Sequence, residues 1–309
     1  MTLVIVRRLL WLPILLLIIG FITFVLGLYG PGDPVQIMLG QRSNPEAVAR
    51  VRHELGLDRP LLVQYGDYVW KALHGDFGES LKYRGRPVGD LIARRLWVSV
   101  QLNALVLILG AIVGLPLGIL AALRPNSWLD YLIVGGVIGL VSIPTFTVAP
   151  MLAWAFAVKW HLLPPGGWGG IFSKRIILPA IVLGSGYAAV FVRQTRANLL
   201  EVLAQDYVRT ARAKGLAEQT VIGVHALRNA LIPLLTIFGL MVGGLVSGTF
   251  VTELIFGIPG IGQLGVDALF SRDYPVIMAL TLLVAASYTV ANILVDIGYG
   301  FLDPRIRHD

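Results

Sequence analysis

Six stretches of this 309-residue chain run without a single charged residue: Leu9–Tyr29, Trp97–Leu123, Tyr131–Val158, Ile176–Val192, Asn229–Thr252 and Tyr274–Val295. A helix needs about 20 apolar residues to cross roughly 30 Å of hydrocarbon, and each run is close to or above that length. Lipid offers no partner to a bare backbone amide, so such runs must be helical. They predict an all-α integral membrane protein with six transmembrane helices. Composition agrees: 56% of residues are hydrophobic and 14% charged, against about 25% charged in a soluble domain. Arg7 and Arg8 before the first run resemble the start of a signal peptide. That run is too long for a typical signal core and ends in "GLYGPGDP", without a small-x-small cleavage pattern, so it is expected to persist as a span.

The short loops orient the chain. Arg7 and Arg8, then Arg124, then Arg193, Arg196, Arg209, Arg212, Lys214 and Arg228, and finally Arg305 and Arg307 fall on one side of a six-span chain. The positive-inside rule makes that side the cytoplasm, with both termini inside. The same rule accounts for the net charge of +7, so no nucleic-acid partner is expected. Three regions follow: residues 1–30 with the first span, an extracytoplasmic loop over residues 31–96, and a five-helix core over residues 97–309. The loop should be folded. "NPEAVARVRHELG" has Asn44 as N-cap, Pro45 at the first helical position, Gly56 beyond the end, and an apolar face of Val48, Val51 and Leu55. "LLVQYGDYVWKALHG" repeats the pattern with Leu61, Tyr65, Val69 and Leu73, stopping at Gly75. These helices could lie on the membrane, pack on the spans or dock a partner.

Within the spans, Gly110, Gly114 and Gly118 recur every four residues, as do Gly135 and Gly139, and Gly244 and Gly248. In lipid such spacing lets helix backbones approach closely. Pro116, Pro144 and Pro150 each remove a backbone donor and predict kinks. Cysteine is absent, which excludes disulfides and thiol chemistry. There is no G-x-x-x-x-G-K-[ST] loop, and His53-Glu54 lacks the second histidine of a zinc helix. No metal site, nucleophile pattern or catalytic residue is expected. The spans carry almost no ionisable group, Asp296 being the nearest, so a proton- or ion-coupled carrier lacks its relay. The chain thus reads as a pathway without an engine. A self-sufficient channel and a structural anchor for a soluble complex remain alternatives.

One segment breaks the greasy pattern: "DYVRTARAKGLAEQTVIGVHALRNALIP", Asp206 to Pro233. Leu199, Leu203, Tyr207 and Ala211 recur every four residues as a helical stripe, with Arg209 and Arg212 off it. Lys214 and Gly215 make a C-terminal cation and a helix-ending glycine. A second short helix follows, with Leu216, Val221 and Val224 apolar. The expectation is two short helices joined at Gly215, greasy on one face and basic on the other.

This segment resembles the EAA loop of ABC-importer permeases, in the version found in dipeptide and oligopeptide permeases. Arg209-Thr210-Ala211 occupies the Glu-Ala-Ala slot, Gly215 matches the family glycine and Leu227 the closing leucine; Arg228 stands where other branches carry proline. Further matches run in order: Arg7-Arg8 before the first span and Pro31-Gly32-Asp33-Pro34 after it, "LGLDRPLLVQY", "GDFGES", "RPV", "ELIFGIPGIGQL" (Glu253–Leu264), "RDYPVI" and "DPRIR". The outer loop is similar to that of the B-type permease of a two-permease importer.

The resemblance implies an ABC type I importer permease of the cytoplasmic (inner) membrane. Such a chain forms half of a pathway for di- or oligopeptides; glutathione, a nickel chelate or an oligosaccharide are alternatives in the same class. It implies a second, C-type permease, two cytoplasmic ATPase subunits that bind ATP and Mg, and an extracytoplasmic solute-binding protein. No cofactor is expected in this chain. The coupling loop, within residues 193–229, would comprise Tyr207, Arg209, Thr210, Ala211, Arg212, Lys214, Gly215, Leu216, Leu227 and Arg228. An external gate or binding-protein dock would comprise Pro31, Gly32, Asp33, Pro34, Glu253, Pro259, Gly260 and Gly262.

Overall fold

The computed structural model describes residues 2–30, 35, 39, 44–54 and 56–302. Among them no strand ladder forms; a single β-bridge pairs Glu79 with Pro87. Five helices are long and apolar enough to span a bilayer, and a bent pair makes up to six. The chain begins with α1 (Thr2–Tyr29). The segment after it holds α2 (Pro45–Glu54) and α3 (Leu61–Leu73). Next come α4 (Val88–Leu123), α5 (Trp128–Ser142), α6 (Thr145–Ala153, prolonged by a π-turn at Trp154–Lys159) and α7 (Ile177–Leu203). Short α8 (Asp206–Ala213) and α9 (Glu218–Thr220) precede α10 (Leu227–Gly243), α11 (Phe250–Ile255), α12 (Ile261–Ser271) and α13 (Tyr274–Leu302).

The third apolar run is not one straight span. Its halves, Trp128–Ser142 and Thr145–Lys159, meet at 91°. Pro144 has no amide to donate and forces Ile143 into an extended conformation (φ −90°, ψ 125°), so the helix stops there. Three other boundaries differ from expectation. The helix of the second run starts at Val88 rather than Trp97. That of the fourth continues to Leu203, which puts Arg193 and Arg196 inside α7 instead of a loop. That of the fifth ends near Gly243–Val246 rather than at Thr252.

The centre of the bundle is the α4–α7 pair, the most extensive helix contact in the molecule. A Cβ built on Gly110, Gly114 or Gly118 would stand 2.5, 2.6 or 2.7 Å from the side chains of Tyr187, Phe191 or Thr195. Only glycine admits α7 this closely. The other stripes behave differently. Around Gly135 and Gly139 a Cβ would meet nothing within 4 Å, so that face of α5 is open. Gly248 is not on a helix: it takes φ +70° in the turn before α11. The α5 N-terminus is tied to α7 by a missed ion pair. The Arg196 fork grips Asp130 at 2.6 and 2.7 Å, while Asp130 also accepts from the Asn126 amide.

The segment carrying α2 and α3 ends its helices where the caps suggested. Asn44 Oδ1 accepts from the Glu46 amide, and Gly56 and Gly75 end their helices at φ +66° and +79°. Of the expected α2 face, Leu55 lies outside the described residues. Helix α3 packs on α1: Tyr65 Oη donates to the Leu17 carbonyl at 2.6 Å, and its ring meets Phe21 edge-on at 5.2 Å. Leu62, Trp70 and Leu73 of α3 are exposed.

Candidate functional site

The polar hairpin is built on the ends of three membrane helices. Val208 and Ala211 of α8, with Val221 and Ala226 beyond Gly215, cluster with Ala122 of α4, Leu199 of α7 and Ala230 of α10. The buried pair in α8 is therefore Val208 and Ala211, whereas Tyr207 is exposed. Of the expected stripe, Leu199 and Ala211 belong to this cluster and Leu203 packs against it, while Tyr207 leaves it because the chain bends at Ala204–Gln205 and resets the helical phase. The second helix is also not separate. Glu218–Val246 runs on without a break, through a π-turn at Val221–Ala226. The hairpin thus has one free arm, α8, and one arm that is the leading end of α10.

Lys214 closes α8, and Gly215 follows at φ +75°. No atom lies within 4 Å of a Cβ placed on Gly215, so the backbone angle alone calls for glycine. Across the turn, Arg212 clasps Glu218 through two bonds, Nη2 to Oε1 at 2.7 Å and Nε to Oε2 at 3.2 Å. The Arg212 guanidinium thus holds the hairpin shut. A second clasp was not foreseen, in which Asn229 Nδ2 donates to Tyr207 Oη at 2.9 Å and to the His225 carbonyl at 3.1 Å. The outward surface comprises Tyr207, Arg209, Thr210, Lys214 and Leu216, and Arg209 pairs only loosely with Asp206 at 3.6 Å. Leu227 is half-buried and Arg228 exposed. Of the Arg209-Thr210-Ala211 slot, only Ala211 points into the cluster.

At the other end of α4, the "ELIFGIPGIGQL" segment forms a buried knot. Glu253 is 0% exposed, so its carboxylate is not a free gate group. It accepts from Ser99 Oγ at 2.7 Å, from the Thr249 amide at 3.3 Å and from the Gln263 amide at 2.9 Å. Ser99 Oγ in turn accepts from the Ile261 amide at 2.7 Å. A serine on α4 and a glutamate on α11 thereby satisfy the first-turn amides of α12, whose positive dipole end suits a carboxylate. A Cβ on Gly260 would fall 2.5 Å from Ser99 Oγ, and one on Gly262 2.7 Å from the Phe250 backbone. Gly260 and Gly262 are buried and Pro259 is exposed. Pro31, Gly32, Asp33 and Pro34 lie outside the described residues.

A second knot joins two motifs that lie far apart in sequence. The buried Asp273, which opens α13, accepts from Ser80 Oγ and from the Leu81 and Lys82 amides at 3.0 and 3.2 Å. The Ser80 and Val88 amides bond to the Arg86 and Gly78 carbonyls. "GDFGES", "RPV" and "RDYPVI" thus fold as one unit. Neither knot could be read from local spacing: Ser99 and Glu253 are 154 residues apart. The usable signal was chemical, an acid beside glycine and proline in an apolar context.

Among the described residues no group of His, Cys, Asp and Glu could hold a metal. The geometry suits transmission of motion between a surface hairpin and membrane helices. Comparison with known proteins points the same way. Residues 114–308 match the family described as binding-protein-dependent transport system inner membrane component, and residues 1–98 match its N-terminal companion. The chain is 43% identical to the dipeptide transport system permease protein DppB of Escherichia coli strain K12, over 94% of each chain. It is 40% identical to the oligopeptide transport system permease protein OppB of Salmonella typhimurium strain LT2, over 96% of each. Its fold is similar to a chain in inward-facing structures of the MetNI methionine ABC transporter. There the TM-score is 0.56 at 20% identity, covering 69% of this chain and 96% of the other. The chain belongs to the family of inner-membrane components of binding-protein-dependent transport systems, a multi-pass transport subunit rather than an enzyme.

Proposed function

We propose that this chain is the B-type permease of an ATP-driven peptide importer, forming half of the pathway for di- or oligopeptides. In this reading a second permease completes the pathway and an extracytoplasmic binding protein delivers the peptide. Two ATPase subunits, which bind ATP and Mg, supply energy at the cytoplasmic face. Both termini lie in the cytoplasm, on the side of the hairpin. The observation that carries the reading is the hairpin itself. Its free arm is pinned by Val208 and Ala211 onto the ends of α4, α7 and α10, and its other arm is continuous with α10. A push on α8 therefore reaches three membrane helices without an intervening flexible loop. The coupling surface comprises Tyr207, Arg209, Thr210, Lys214 and Leu216, with Arg212 bracing it from within. Peptide as substrate is supported by the names of the 40–43% identical relatives. Pro31, Gly32, Asp33, Pro34, Glu253, Pro259, Gly260 and Gly262 remain the proposed external gate or binding-protein dock, in which Pro259 is exposed.

The test is purification of the tagged chain from native membranes, followed by reconstitution in liposomes. Recovery of a second permease, ATPases and a binding protein, with uptake of labelled dipeptide that requires ATP, is the expected result. Uptake by this chain alone, without nucleotide, would replace the importer with a self-sufficient channel.

A further inference from the structure

A cavity of about 650 Å³ lies between α1, α3, α4 and α13. Its wall includes Leu16 and Gly20 of α1, Val69 of α3, Ala93 of α4, and Leu282 and Ala286 of α13. It extends along α1 from Leu12 to Gly20 and along α13 from Ala279 to Ala286, which is about 10–12 Å of helix at 1.5 Å per residue. Three of the four bounding helices are membrane-long. The fourth, α3, closes one side through Tyr65, Tyr68 and Leu73, and leaves Leu62 and Trp70 exposed.

Three occupants can be weighed. Water needs two or more polar partners, and the wall is almost wholly apolar. Tyr65 has spent its hydroxyl on the Leu17 carbonyl. A peptide would bury its amides with no partner, which is heavily unfavourable. An empty space of this size is foreign to packed protein interiors, which hold few voids larger than a water molecule. A bilayer supplies one filler of the right chemistry and reach. The cavity length is close to one leaflet of a hydrocarbon core about 30 Å thick. We propose that this cavity is a resident-lipid site, occupied by a phospholipid acyl chain that seats α1 and α3 against the rest of the bundle. A helix held through a lipid can shift relative to α4 without breaking side-chain packing, which suits a subunit that must change conformation.

The experiment uses the purified full complex in nanodiscs containing phosphatidylethanolamine with a diazirine at the acyl terminus. After photolysis, labelled residues are mapped by mass spectrometry. Labelling of cavity-wall residues at several times the level of the outward-facing Ile112 and Leu140 is expected. Ala93→Phe, which fills the space from an accessible wall position, should abolish the excess and leave Ile112 and Leu140 unchanged. Ala286→Phe serves as the second filling variant should the first assemble poorly. Wall labelling no higher than at Ile112, or an excess that survives both fillings, overturns the site. A photocrosslinker at position 93 that captures another subunit instead of lipid does so as well.

Discussion

Gly215 shows how a single backbone angle can be argued without any packing term. It sits at φ +75°, and nothing lies near the place a side chain would occupy. For an L-residue the left-handed region costs about 1–2 kcal/mol, more for a β-branched one. Gly215→Val should therefore displace α8 and lower ATP-dependent peptide uptake several-fold while assembly persists. Gly215→Asn should keep most of it, because asparagine tolerates that conformation. Equal uptake in both variants, measured in proteoliposomes, would remove the proposal that a push on α8 reaches the membrane helices. A second residue-scale test lies at the end of α2. His53 Nδ1 bonds Asp58 at 2.6 Å, and that bond raises the His53 pKa above its ordinary 6.5. A raised histidine contributes stability that is complete below pH 6.5 and fades as pH climbs through the raised value. Histidine NMR on labelled protein should show His53 titrating late, and Asp58→Asn should return it towards 6.5.

The helices teach a different lesson, because the same small-residue pattern had three outcomes. On α4, glycines at 110, 114 and 118 are filled by α7; on α5, glycines at 135 and 139 face open space; at 248 the glycine makes a turn. Gly114→Ala would thrust a methyl to 2.6 Å from Phe191 Cβ and 2.7 Å from the Ala188 carbonyl. Overpacking of that kind costs about 1–3 kcal/mol. Gly135→Ala, with nothing to strike, should be neutral or mildly stabilising through helix propensity. Thermal unfolding in detergent separates the two; equal midpoints would mean α4 and α7 are not held at glycine distance. The spans, the caps at Asn44, Gly56 and Gly75, and the α4 stripe were legible because each depends on neighbours within a turn or on composition. The right-angle break at Pro144 was legible only as a kink, since its size depends on what α6 packs against. The Asp130–Arg196 fork, the Glu253 knot and the Ser80–Asp273 knot were not legible. Each joins residues between 66 and 193 positions apart, and periodicity carries no information at that range.

At the scale of the whole molecule, the proposed coupling role asks the hairpin to be both a surface for other subunits and a stiff extension of the bundle, and its charges divide between those tasks. Arg209 is exposed and pairs only loosely with Asp206, so it is free for an acidic partner. Arg212 spends its fork on Glu218. Arg209→Glu should therefore weaken retention of the ATPase subunits several-fold without changing protease resistance at the turn. Arg212→Glu should lower both, because it sets two carboxylates against each other across Gly215. An exposed bridge is worth only about 0.2–1 kcal/mol, so the turn should loosen without unfolding the bundle. The decisive variant is the exchange Arg212→Glu with Glu218→Arg. It restores the bridge while reversing both charges. If Arg212 acts by bracing, the exchange recovers protease resistance and ATPase retention together. If resistance returns and retention does not, Arg212 meets the partner directly, and the division of labour between the two arginines is wrong.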